Sequence, residues 1–183
     1  GGTQRLPRVV GVEKALQMVT SGQHVPAKQC LEMGLVDEIS NEDSLKEDSI
    51  NFAKKIVSEN RPLVKISEMN DKVEAARGNE NIFKDFRKSI AKRARGFLAP
   101  EYNIQCIEAA VNKPFNEGKD IETKLFMELI TGNQSAAQRY VFFAQRQVAK
   151  IPDIEPDTEI KPFASIGVIG AGTMGGGISM NFA

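Results

Sequence analysis

Near the end of the chain the run Ser165-Ile166-Gly167-Val168-Ile169-Gly170-Ala171-Gly172-Thr173-Met174-Gly175 leaves few structural options. An apolar, β-branched stretch meets three glycines spaced Gly-x-Gly-x-x-Gly, and a helix-compatible sequence follows. That is the pattern of a short buried strand turning sharply into a helix. Gly170 suits the tight turn, Gly172 lets the backbone approach a ligand with no Cβ in the way, and Gly175 allows helix and strand to pack closely. The free N–H groups and partial positive charge of the helix start would then face a pyrophosphate. Dinucleotide binding through Gly170, Ala171, Gly172, Thr173, Met174 and Gly175 is therefore expected. The acidic residue that contacts the ribose belongs about 20 positions further on, beyond Ala183, so these residues alone do not separate NAD from NADP.

Two rivals compete for the same stretch. The segment Pro162 to Ala183 is uncharged, and Gly172 with Gly176 has the Gly-x-x-x-Gly spacing of a membrane helix, so a tail anchor is one alternative. Its glycines, Ser, Thr and Asn dilute the hydrophobicity, and no basic or aromatic flank follows. A non-catalytic dinucleotide-sensing module is the other. Zero net charge, from 24 basic and 24 acidic residues, gives no overall attraction to nucleic acid or anionic membrane. Cys30 and Cys106 are far apart and fit no metal spacing, which points to buried thiols in a reducing compartment.

Upstream, Ile151-Pro152-Asp153-Ile154-Glu155-Pro156-Asp157 and Lys161-Pro162 read as an extended linker, which marks a domain boundary. Everything before it reads as helices. Thr3 is expected to N-cap a turn running through Leu6, Val9 and Val10 to Gly11, followed by helices over Glu13–Thr20 and Ala27–Met33, the latter stopping at Gly34. Ser44 to Glu47 has capping-box spacing for a helix sharing Leu45, Phe52, Ile56 and Val57 on one face. From Asn79 to Arg95, Ile82, Phe86 and Ile90 recur every four positions. Lys84, Arg87, Lys88, Lys92, Arg93 and Arg95 make this stretch basic, and a solvated face is the preferred account over a phosphate site. Three further helical patterns follow: Ile104, Ile107 and Val111; Ile121, Leu125 and Leu129; and Ala137, Val141, Ala144 and Val148, the last entered through a capping box at Ser135.

Gly1-Gly2-Thr3-Gln4-Arg5-Leu6-Pro7, with Ala15 to Gly22 and Ala27 to Asp37, resembles the C-terminal part of the enoyl-CoA hydratase (crotonase) core. Phe97 to Pro100, Pro114 to Gly118, Leu125-Phe126 and Tyr140 to Ala144 resemble the helical linker of bifunctional β-oxidation enzymes of the stand-alone, peroxisomal type. Ile166 to Ile178 resembles the opening of a 3-hydroxyacyl-CoA dehydrogenase. The three pieces come in that family's order. The resemblance implies an α/β protein that is α-rich in this chain: C-terminal helices of a crotonase-type domain over 1–95, a helical linker over 96–161, and the start of a Rossmann NAD-binding domain over 162–183. It also implies an internal piece of a larger enzyme that hydrates trans-2-enoyl-CoA and oxidises the 3-hydroxyacyl-CoA with NAD, and a hydratase half of this type often also isomerises 3-enoyl-CoA.

The implied chemistry needs carboxylates for proton transfer, N–H donors for the enolate oxygen, and a base for the dehydrogenation. In the family none of these maps onto this chain, so no catalytic residue is expected in it. Glu13 and Glu32 read as solvated helix positions, and His24, the one histidine, as a surface residue in a turn. Gly1, Gly2 and Thr3 read equally as a helix start or as an entry beside the active-site wall. The expected partner is an acyl-CoA thioester, with no nucleic acid, no membrane and no metal. The resemblance implies a monomeric or weakly associated full-length protein in the cytoplasm or the peroxisome.

Overall fold

A computed structural model describes residues 1–155 and 157–183, and these form two compact units, 1–140 and 141–183. Pro156, part of the expected linker, lies outside the described residues.

The first unit is helical and is organised around α7 (Ala99–Asn112). This helix carries Ile104, Cys106, Ile107, Ala109, Ala110 and Val111 as buried residues, too many for one stripe. A helix apolar on most of its circumference has to be covered from several sides. The cover comes from α1 (Gly2–Val10), α2 (Val12–Ser21) and α8 (Phe115–Thr131), all packed on α7. Val10, Val12, Ala15 and Leu16 close the core from α1 and α2, and α6 (Glu80–Ile90) adds Phe83 and Ile90. Each large aliphatic side chain so buried contributes roughly 1.5–3 kcal/mol of hydrophobic stabilisation. The α1–α2 break falls at Gly11, whose φ of 89° suits glycine alone. Helices α3 (Ala27–Glu32), α4 (Leu45–Ser58) and α5 (Asp71–Glu74) complete this unit up to α6, and α9 (Asn133–Val148) follows α8.

Several expected details come out differently. Thr3 is not the N-cap: α1 starts at Gly2, and the Thr3 side chain turns sideways to Glu122. Ser44 forms no capping box with Glu47; its hydroxyl bonds Asp48. Ser135 lies inside α9, where it bonds Arg139. In each case a nearer acceptor or donor outcompetes the cap. The face of α4 with Leu45 and Val57 stays exposed, with only Phe52 and Ile56 half-buried, because periodicity names the face that seeks cover without supplying it. In α6 the buried residues are Phe83 and Ile90, with Ile82 and Phe86 only partly covered.

The second unit contains the rest of α9, a connection whose described residues form no helix or strand, and α10 (Thr173–Phe182). Within α9, the Arg146 guanidinium stacks 3.4 Å from the centroid of the Phe142 ring. Ser165 to Ile169 has no regular secondary structure, and no strand occurs among the described residues. A strand exists only through the ladder it makes with a neighbour, and none is present to pair. Among the described residues no helix is long and apolar enough to cross a membrane. With ten residues, α10 spans roughly 15 Å, half a bilayer core.

Candidate functional site

Two places in the chain are candidates for a functional site, one in each unit. The first is a cleft of about 600 Å³ between α1, α2, α7 and α8. Its apolar walls are Leu6, Val19, Leu125, Phe126 and Leu129, and its polar groups are Thr3, Asn103 and Glu122 beside the first turn of α1. The cleft can take an apolar ligand or chain segment with polar groups at one end.

Behind the cleft, α1 has a polar interior. Gln4 and Arg8, one turn apart on the same face, are 0% and 2% exposed. Gln4 donates through Nε2 to the Cys106 carbonyl at 2.6 Å, and Arg8 donates to the carbonyls of Gln4 and, at 3.4 Å, of Ala110. The Arg8 guanidinium also lies 5.0 Å from the centre of the Phe115 ring, with that of Arg5 at 5.3 Å on the same ring. Burial lowers the Arg8 pKa. Polar groups taken from water seek partners inside; here the carbonyls of Gln4, Cys106 and Ala110 and the first aromatic ring of α8 serve, while Gln4 Oε1 and Arg8 Nε have no hydrogen-bond partner among the described residues.

The N-terminus of α1 is closed by Glu122 of α8, only 8% exposed. Its Oε1 accepts from the Thr3 amide at 3.0 Å and from the Thr3 hydroxyl, and its Oε2 lies 2.9 Å from the Gly1 nitrogen. Burial pushes the Glu122 carboxyl up, while the hydrogen bonds from the Thr3 hydroxyl and amide pull it down. A carboxylate at a helix N-terminus is also where the helix dipole favours negative charge. Next to it the Cys106 thiol is buried and pushed up, first of all by that burial. Cys30 is half-buried, so only one of the two thiols is enclosed as expected.

Glu13, Glu32 and His24 are exposed, and the structure brings none of them to the cleft. In the basic stretch Lys84, Lys88, Lys92, Arg93 and Arg95 are solvated as expected. Arg87 is not one of them: it clamps Glu101 and Glu108 of α7 through five hydrogen bonds of 2.6–3.2 Å. Those bonds, to Glu108 first and Glu101 second, raise the Arg87 pKa. Sequence reasoning missed Gln4, Arg8 and Glu122. A polar side chain becomes a core residue only through partners about a hundred positions away, and no local pattern marks it.

The second place is the glycine turn. Gly170 adopts φ 108°, a conformation other residues rarely take. Gly172 is the N-cap of α10, with no side-chain cap, and the first bond of the helix runs from the Gly176 amide to the Gly172 carbonyl at 3.0 Å. The amides of Thr173, Met174 and Gly175 precede that bond and are free for an outside acceptor. A Cβ on Gly175 would overlap the Gly170 carbonyl oxygen and sit 2.9 Å from its carbon, whereas a Cβ on Gly172 would meet nothing within 4 Å. One glycine is thus required by the turn itself, and the other faces open space. Ala171, Thr173 and Met174 are exposed on the same turn.

A model of the enoyl-CoA hydratase/isomerase family matches residues 1–99, from the start of α1 to the start of α7. The chain belongs to the enoyl-CoA hydratase/isomerase family. Over its whole length it is similar to the peroxisomal bifunctional enzymes of Cavia porcellus, 36% identical over 186 residues, Homo sapiens, 33% over 186, and Danio rerio, 36% over 187. The chain spans about a quarter of the length of these relatives. In this hydratase/isomerase segment α1 is a central element, yet α8, which holds its N-terminus, lies outside the matched residues.

Proposed function

We propose that this chain is part of a bifunctional β-oxidation enzyme that hydrates trans-2-enoyl-CoA to 3-hydroxyacyl-CoA and oxidises that product with NAD to 3-oxoacyl-CoA. The observation that carries the reading is the presence, in one chain, of a hydratase-family segment and a helix-opening glycine turn, aligned end to end with enzymes named bifunctional. The peroxisome is the compartment we propose, since those relatives are named for it.

The residues of the glycine turn fit the pyrophosphate of a dinucleotide. Gly172 leaves room for close approach, and the amides of Thr173, Met174 and Gly175 point free donors and the positive end of α10 at an anion. When bound, NAD would accept hydride from the hydroxyl-bearing carbon. The contribution of this turn is to bind and orient, because none of its side chains can move a proton at neutral pH. The exposed Ile166 and Ile169 supply the apolar strand that a parallel sheet would bury on both faces. In the hydratase part, this chain supplies the cleft and the fixed first turn of α1.

The test is equilibrium binding of NAD, followed by fluorescence or calorimetry, to the wild-type protein and to Gly175→Ala. The added methyl would force the Gly170 carbonyl out of place, so binding should fall by at least tenfold while 2-enoyl-CoA hydration persists. Unchanged NAD affinity in Gly175→Ala would remove the turn from the cofactor site.

A further inference from the structure

The contacts between α1 and α8 reach beyond the matched hydratase segment. Glu122 is a buried carboxylate whose hydrogen-bond partners, the Thr3 amide and the Thr3 hydroxyl, both belong to the first turn of α1. The same turn forms a wall of the apolar cleft, and Glu122 itself lies in that wall. From α7, the Cys106 and Ala110 carbonyls hold the next turns of α1 through Gln4 and Arg8. Packing alone would not demand this, since an apolar residue at position 122 would fill the space without the cost of burying a charge. A carboxylate there instead fixes the position of two donors at once, in a place where a shift of about 1 Å in a site wall can change a rate up to a hundredfold.

We infer that Glu122 is a positioning residue for the hydratase reaction, acting from α8 through Thr3 to hold the first turn of α1 against the cleft. This rests on the hydratase reading proposed above. It also makes the helices after residue 99 a working part of the hydratase unit.

The test uses the full-length enzyme and three readouts: hydration of a medium-chain 2-enoyl-CoA, oxidation of the matching 3-hydroxyacyl-CoA with NAD, and amide hydrogen exchange at Gly2 and Thr3. Glu122→Ala should lower kcat/KM for hydration by about tenfold to a hundredfold. Its 3-hydroxyacyl-CoA oxidation should be unchanged, and exchange at Thr3 should accelerate. Glu122→Gln, whose Oε1 can still accept from Thr3, should recover most of the hydration and of the protection. Hydration by Glu122→Ala at the wild-type rate overturns the inference. So does a proportional loss of both activities, which would mean that the residue only supports the fold. A wild-type enzyme that oxidises 3-hydroxyacyl-CoA but hydrates nothing defeats the hydratase reading itself, and this role with it.

Discussion

Gly118→Ala puts the packing of α1 against α8 to a sharp test. Gly118 is buried in the first turn of α8, and a Cβ there would overlap Gln4 Oε1, sit 3.0 Å from Gln4 Cδ and lie 3.6 Å from the Ala109 carbonyl. Gln4 has nowhere to go: it is 0% exposed, and its Nε2 is bonded to the Cys106 carbonyl at 2.6 Å. Alanine in a helix gains about 1 kcal/mol over glycine. Against that stand about 1–3 kcal/mol of overpacking, and about 1–3 kcal/mol more if Gln4 gives up its buried hydrogen bond to escape. The net expectation is a destabilisation of about 2 kcal/mol, or roughly 4–8 °C in Tm for a domain of this size. Gln4→Ala alone should cost about 1–3 kcal/mol, because it removes the buried hydrogen bond to the Cys106 carbonyl and empties part of a packed site. In the Gln4→Ala background the clash is gone, so Gly118→Ala should become neutral or stabilising by up to about 1 kcal/mol. Urea unfolding of the four proteins in this cycle measures the coupling. Equal costs of Gly118→Ala in both backgrounds, or a stabilising Gly118→Ala on its own, would refute the close approach of Gln4 to Gly118.

Other outcomes follow from the same interactions. Arg87→Ala removes the clamp on Glu101 and Glu108 and should cost roughly 1–2 kcal/mol by urea unfolding, less at high salt because solvent reaches both carboxylates. Burial holds the Cys106 thiol protonated, so a thiol reagent at neutral pH should label Cys30 in the native protein and Cys106 only on unfolding.

The helices were legible because their apolar residues recur at helical spacing: Ile104, Ile107 and Val111 in α7 are all buried. The stops at Gly11, Gly22 and Gly34 were equally legible, since each has a positive φ that glycine alone adopts freely. Caps were less so, because Thr3, Ser44 and Ser135 each found a side chain stronger than the backbone N–H they were expected to serve. The strand over Ser165–Ile169 was expected from composition, but a strand is a pairing, and pairing depends on partner residues that a local pattern does not contain. The polar interior was hidden for a related reason. Gln4, Arg8 and Glu122 look like ordinary surface residues until α7 and α8 bring carbonyls, a ring and a helix N-terminus against them. At the glycine turn, the demands on Gly170 and Gly175 follow from backbone geometry that the spacing Gly-x-Gly-x-x-Gly encodes directly.

The central claim joins two chemistries in one protein, and a single coupled assay tests it most directly. Purified full-length protein is given a trans-2-enoyl-CoA and NAD, and the loss of the conjugated thioester absorbance is followed together with NADH formation. The account predicts that the thioester absorbance falls first and NADH follows after a lag, with Gly175→Ala stopping the second signal and leaving the first. Hydration with no NADH from the wild-type protein, at saturating NAD, would contradict it.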